Sequence, residues 1–381
     1  MQKKKIYIID KATKFINKMK LISATLLLLV LLSPCLQPTE AQIGVCYGMR
    51  GDNLPCAQDV VNLYKSNNIG AMRLYAPDID TLEAIKETNI KIMLGVPNEN
   101  ITEIGCNQST ADVWVETNVI PYAPSIKYIA VGNEIRPDND TQIAPFVEPA
   151  MRNIYNSLNS YNLTAQIMVS TAIDTSLINN SYPPSSCTFK NLTYITPIIK
   201  FLRENNSPLL VNIQPYIAYK IDMKDIKLNY VLFTSPKPVF KDNKTSKYYQ
   251  NLFDAIFDAV YTAVQKIDTP DIIFSNGDNK KLDKMVVSET GHPSKGEFKK
   301  KIMYDNGGNE DATTVENAKT YYTNLIKHVK KGTPLTQGQL IETYLFAMFD
   351  ENEKSGDETE KHYGLFTPDG TPKYGHLNFC G

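Results

Sequence analysis

Apolar residues gather in short runs separated by longer stretches of mixed polarity. Eight runs stand out: "IGVCYG" (43–48), "AMRLY" (71–75), "KIMLGV" (91–96), "KYIAVGNE" (127–134), "QIMVST" (166–171), "LLVNIQPY" (209–216), "KMVVSET" (284–290) and "TYLFAMFDEN" (343–352). Most are continuous rather than alternating, the pattern of strands buried on both faces. Between them the apolar period lengthens to that of a helix. "CAQDVVNLYKSNN" puts Val60, Val61 and Tyr64 on one face, and "TLEAIKETN" pairs Leu82 with Ile85. "YYQNLFDAIFDAVYTAVQKI" turns Leu252, Ile256, Ala259, Val260 and Ala263 inward, and "TVENAKTYYTNLIKHVKKG" stops on lysines and Gly332, a helix terminus. Eight buried strands alternating with helices predict an α/β fold, a (β/α)8 TIM barrel in one domain. The count alone does not separate a closed barrel from a doubly wound sheet.

Two of these runs end on a glutamate: Glu134 in "VGNE" and Glu289 in "VVSETG". A third reaches Asp350 and Glu351. A charge at the end of a buried strand costs free energy unless it is solvated or paired. Any one of them reads well enough as the first polar residue of a loop. "PDIDTLE" (77–83) is similar to an acidic chitinase motif, but it opens a helix, where an aspartate caps, and a cap is the reading adopted. The two glutamates together are harder to dismiss. In a barrel the C-terminal strand ends line the active site. Two carboxyls facing across a groove can break a glycosidic bond, one protonating the leaving oxygen and the other attacking the anomeric carbon or activating water. The acid then needs a raised pKa.

Composition narrows the chemistry. The 381 residues are 42% hydrophobic and 21% charged with a net charge of −1, so charge gives no reason to expect a nucleic-acid partner. With four histidines, no C-x-x-C pair and no H-E-x-x-H, neither a metal nor another cofactor is expected, and the chain lacks a Walker loop and a G-x-S-x-G elbow. Lys18 and Lys20 precede the apolar "LISATLLLLVLL" (21–32), and small Ala41 closes the segment. Residues 1–41 therefore read as a secretory signal peptide, with Met19 an alternative start, and 42–381 as the catalytic domain. The apolar stretch is shorter than the roughly 20 residues of a membrane span. Sequons at Asn100, Asn107, Asn139, Asn162, Asn179, Asn191, Asn205 and Asn243 agree with secretion. Past the leader, Cys46, Cys56, Cys106, Cys187 and Cys380 are odd in number, so at least one is unpaired.

Beyond these features the chain resembles the plant β-1,3-glucanases of glycoside hydrolase family 17. The resemblance is carried, in order, by "IGVCYG", "MRLY", "VGNE", "NIQPY", "VVSETG", "ENAKTYYTNLIKHV", "GTP", "IETYLFAMFDENEK" and "YGLFTPDGTPKY". It implies a (β/α)8 barrel that hydrolyses internal bonds of β-1,3-glucan with retention of configuration. Retention calls for carboxyls about 5 Å apart. It implies Glu134 as acid/base and Glu289 as nucleophile, with Glu351, Lys354 and Glu360 as a supporting charged cluster and Lys354 helping to keep Glu289 ionised. Asn133 would bind the 2-hydroxyl next to the cleaved bond, and Tyr47, Tyr75 and Tyr216 would line the sugar groove.

The match has departures. His292 stands where the family usually has Trp, and is expected beside the substrate with less apolar area for a sugar ring; Glu353 stands where Gln is common. The chain stops at Gly381 without the C-terminal extension of vacuolar members, a carbohydrate-binding module or an anchor tail. The expectation is a secreted monomer in the extracellular space or cell wall rather than the vacuole, acting on callose or fungal wall glucan. Two other readings share these residues: a mixed-linkage β-1,3-1,4-glucanase, and a catalytically weakened glucan-binding protein.

Overall fold

A strand whose successive side chains are all apolar must be covered on both faces, and a barrel ringed by helices supplies both covers. The protein, seen in a computed structural model, is described over residues 43–267, 282, 284–296 and 311–379. Eight parallel strands form a closed ring: β1 (Ile43–Tyr47), β2 (Ala71–Leu74), β3 (Lys91–Val96), β4 (Ile126–Asn133), β5 (Met168–Ile173), β6 (Leu209–Asn212), β7 (Met285–Thr290) and β8 (Thr343–Leu345). Closure is made by β8 returning to β1, with Gly44 opposite Tyr344, which rules out the doubly wound alternative.

The two faces of the apolar runs separate into two cores. Val45, Met72, Ile92, Leu94, Ile129, Val131, Leu209, Val211, Val287 and Leu345 point outward and pack under the helices. Cys46, Ala71, Met93, Tyr128, Ala130, Leu210, Val286 and Tyr344 point inward and fill the barrel. Farther along the strands the inward positions turn polar: Arg73, Asn212 and Ser288 are all buried there. That polar layer carries the chemistry described below.

Helices occupy the predicted stretches at Ala57–Ser66, Ile79–Ile85, Leu252–Gln265 and Val315–His328. Asp78 is a cap, as its sequence context predicts: its carboxylate accepts from the Thr81 N–H at 2.9 Å. Two strand boundaries differ from expectation. β6 stops at Asn212, because Pro215 opens a helix over Pro215–Ile221 and carries Tyr216 with it. β8 stops at Leu345, and the rest of its apolar run continues as buried loop. Cys46, Cys56, Cys106 and Cys187 carry free thiols, whereas Cys380 and the predicted leader lie outside the described residues. Among the described residues no helix is long and apolar enough to cross a membrane.

Candidate active site

Both strand-end glutamates follow an extra residue in their own strand. Ala130 of β4 is opposite Ser170 of β5, and Asn133 is opposite Ala172, so β4 spends three steps where β5 spends two. On β7, Val287 faces Val211 of β6 and Glu289 faces Asn212, two steps against one. Such bulges turn a side chain away from the ladder's regular alternation. In β4 the turn continues through Gly132 at φ +78° and Glu134 at φ +52°. Gly132 adopts that conformation freely, and a Cβ there would lie 2.6 Å from Ile135 Cδ1. For Glu134 the left-handed backbone costs about 1–3 kcal/mol. Its N–H is held by the Ala172 carbonyl at 2.9 Å.

The two carboxyls meet in one buried polar network. Arg73 Nη1 donates to Glu289 Oε1 at 2.8 Å and to Asn212 Oδ1 at 3.1 Å, while its Nη2 donates to Asn133 Oδ1 at 2.7 Å. The Tyr75 hydroxyl donates to the same Glu289 oxygen at 2.7 Å. Asn212 Nδ2 donates to Glu134 Oε1 at 2.8 Å and to Asn133 Oδ1 at 3.0 Å. Ser288 Oγ orients Asn212 by donating to its Oδ1 at 2.7 Å. A buried charge is tolerable when it is paired and hydrogen-bonded, and Glu289 is both. Its Oε1 takes two donors, which leaves Oε2 as the oxygen available to a ligand. Asn133 Oδ1 is likewise taken by two donors, so its amide Nδ2–H is the group it can offer.

Glu134 sits in a different field. Burial, and then the Glu289 charge, push its pKa up to about 7, against the opposing hydrogen bond from Asn212. It therefore holds a proton to near neutral pH beside a carboxylate that carries an ion pair. That is the division of labour a glycosidase needs, an acid and a nucleophile or base made from the same side chain. Arg136 Nη2 stands 3.6 Å from Glu134 Oε2 and is also bound to Asp174.

The carboxyls open into a cleft of about 520 Å³, walled by Tyr47, Tyr75, Ile217, Phe346 and Tyr363, with Glu351, Lys354 and Glu360 along one side. Lys354 Nζ lies 3.7 Å from Glu351 and 3.3 Å from Glu360. Burial raises the Glu351 pKa, and Lys354 opposes the rise. A Cβ at Gly48 would meet Glu351 Oε1 at 2.2 Å, so a side chain there would push the Glu351 carboxylate aside. A larger hollow of about 590 Å³ lies beside Asp254 and His328, but none of the strand-end acids lines it.

Glu134, Glu289, Asn133, Tyr47, Tyr75, Glu351, Lys354 and Glu360 are thus brought together as the sequence predicts. Three expectations need correction. Tyr216 does not line the groove: carried on the helix that Pro215 starts, it is buried against His292, ring centroids 5.1 Å apart. His292 does not line the cleft either. It is fully buried between Tyr216 and Tyr321, with Nε2 2.8 Å from the Ala312 carbonyl, and burial lowers its pKa to about 4. The cation paired with Glu289 is Arg73, not Lys354, whose partners are Glu351 and Glu360. Arg73, Asn212, Arg136 and Asp174 were missed by sequence reasoning. Arg73 had a signal, a guanidinium in the middle of an apolar strand, because a buried strand carries such a group only when partners wait inside.

The sequence and the fold are similar to those of known proteins. The family profile described as glycosyl hydrolases family 17 matches residues 43–379. A glucan endo-1,3-beta-glucosidase of Vitis vinifera is 49% identical over 337 residues, 87% of this chain and 90% of that protein. A solved structure described as CJP38, a beta-1,3-glucanase and allergen of Cryptomeria japonica pollen, superimposes with a TM-score of 0.78 at 43% identity, covering 89% of this chain and 99% of that one. A second, from a study of two plant beta-glucan endohydrolases with distinct substrate specificities, gives 0.76 at 36% identity, covering 88% and 99%.

Proposed function

The chain belongs to the glycosyl hydrolases of family 17, and from that premise we propose that it is an endo-β-1,3-glucanase that cleaves with retention through a covalent glycosyl-enzyme. The observation that carries the reading is the unequal pair: Glu134 protonated up to about pH 7, next to Glu289 ion-paired with Arg73. In the first step Glu289 Oε2 forms a bond to the anomeric carbon. The bond from that carbon to the glycosidic oxygen breaks, and the Glu134 proton passes to the departing oxygen. In the second step water attacks the anomeric carbon, gives a proton to the Glu134 carboxylate, and releases Glu289. Asn133 Nδ2 donates to the 2-hydroxyl, a contact that strengthens as charge develops on the sugar.

The substrate is a β-1,3-glucan, callose or fungal wall glucan. The protein acts as a secreted, glycosylated monomer outside the cell. Support for glycosylation is that every sequon asparagine is exposed or half-buried. The deciding experiment is reducing-sugar release by purified protein from laminarin and from barley mixed-linkage glucan. Laminarin is expected to be cut internally. Cleavage of the barley glucan alone would make the protein a β-1,3-1,4-glucanase, and turnover of neither would make it a glucan-binding protein.

A further inference from the structure

The mechanism asks Glu134 to be an acid in one step and a base in the next. Its environment contains one pair of charges that the mechanism above does not use. Arg136, two residues on, donates through Nε to Asp174 Oδ2 at 3.0 Å and binds the same oxygen through Nη2. That same Nη2 lies 3.6 Å from Glu134 Oε2. This is too long for a hydrogen bond but well within electrostatic reach. Because Asn212 occupies Oε1, Oε2 is the oxygen that carries the transferable proton. A cation therefore stands beside the proton-transferring atom, tethered to a second carboxylate.

We propose that Arg136 and Asp174 act as a charge clamp that sets when Glu134 gives up and takes back its proton. While Glu134 is protonated, the guanidinium rests on Asp174. Once the proton has passed to the leaving oxygen, the guanidinium is shared with the new carboxylate and steadies it as the base of the second step. Asp174 is fixed for this role by its own backbone contact, since its Oδ1 accepts from the Ser176 N–H at 3.0 Å. The Arg136 N–H is fixed by Asp140 Oδ2 at 2.8 Å.

Other charged groups face Glu134 from the neighbouring strands, but each is already committed. Glu289 on β7, ion-paired with Arg73 on β2, raises the Glu134 pKa alike in wild type and in both variants, so it sets where the limb lies and not the difference between them. Asp140 reaches Glu134 only through Arg136, on which its charge acts. Tyr194, which feels both Asp140 and Asp174, stays a neutral phenol because burial raises its pKa. Arg136 and Asp174 are thus positioning residues acting through Glu134.

The inference rests on Glu134 being the acid, and the test separates the two claims. In wild type the basic limb of kcat/KM on laminarin falls near pH 7, as Glu134 loses its proton. Arg136→Gln removes the cation, favours the protonated carboxyl and moves that limb to higher pH. Asp174→Asn removes an anion and frees the guanidinium for Glu134. Both effects favour the carboxylate and move the limb to lower pH, while the amide oxygen can keep the Ser176 contact. Each shift is about half a pH unit, because Arg136 is half exposed and screened. Arg136→Lys restores most of the wild-type limb. Shifts of opposite sign are not what loosened packing would produce. A basic limb that stays put, or moves the same way in both variants while thermal unfolding shows them folded, overturns the clamp. Glu134→Gln measured in parallel tests the premise. It should lose far more activity on laminarin than on an aryl glucoside with a good leaving group. Equal losses would overturn both claims.

Discussion

Glu134 and Glu289 are the same side chain given different chemistry by their neighbours. One is buried near another carboxylate and keeps its proton, and the other is bound to a guanidinium and a phenol. The roles are separable by experiment. Glu289→Ala should abolish turnover, and azide should restore product of inverted configuration by entering where Oε2 stood. Glu134→Ala should retain activity on substrates with a good leaving group, where protonation matters least. Inverted azide product from the Glu134 variant instead would reverse the assignment. Both glutamates were legible in sequence because each ends an apolar run. Arg73, Asn212 and Ser288 were not, since their importance lies in meeting across the barrel from strands up to 215 residues apart. His292 was legible as a departure but misplaced, because a residue three positions after Glu289 can turn into the core as easily as toward the cleft. Its ring is packed between Tyr216 and Tyr321. His292→Trp should therefore overpack this site at a cost of about 1–3 kcal/mol, leaving the KM for laminarin unchanged. A severalfold drop in KM with unchanged thermal stability would return this position to the sugar groove.

At the scale of elements, period-2 burial explains why the strands could be read. Every second residue faces the helices and every other one the barrel, so the runs look uniformly apolar. Bulges leave no such trace. The extra residue before Asn133 and the one before Glu289 change which way the chain faces without changing its hydrophobicity. Only Gly132 hinted at the first, and the hint was ambiguous, because a glycine near a strand end reads equally well as a turn. The geometry gives it a measurable role. Gly132→Ala would place an L-residue at φ +78° and a methyl 2.6 Å from Ile135 Cδ1. The backbone term alone costs roughly 1–2 kcal/mol. Because Glu134 is two residues away, the relief should be taken in its orientation. The expected outcome is a kcat at least about tenfold lower with KM little changed, since a displacement near 1 Å at a catalytic group can cost about a hundredfold. Wild-type kcat in a protein of lowered Tm would show that the strain is absorbed elsewhere.

Across the whole molecule, buried ionisable groups pull stability in opposite directions with pH. Asp258 lies under the helix–loop packing, where burial raises its pKa to about 7 in spite of hydrogen bonds from Thr333 and Tyr249. Its folded pKa is above the unfolded one. Its contribution is fully present below the unfolded value near 4 and is lost as pH rises to about 7. Glu134 and Glu351 are raised by burial in the same sense. His292 works against them. Burial lowers its pKa to about 4, so the unfolded chain takes up a proton between about pH 6.5 and 4 that the folded one refuses, and stability falls on acidification. The two windows overlap, so His292 offsets part of the carboxyl trend, but three raised carboxyls outweigh one lowered imidazole and the net contribution of these four groups falls as pH rises from about 4 to 7. Substitution separates them. Relative to wild type, Asp258→Asn should gain stability as pH rises from 4 to 7, by on the order of 3–4 kcal/mol at about 1.4 kcal/mol per pKa unit. His292→Gln, which can keep the bond to the Ala312 carbonyl, should be relatively strongest near pH 4 and lose ground to wild type up to about pH 6.5. Chemical unfolding of the three proteins at half-unit steps of pH measures both gaps. Gaps that stay constant with pH would show that neither group titrates differently on folding.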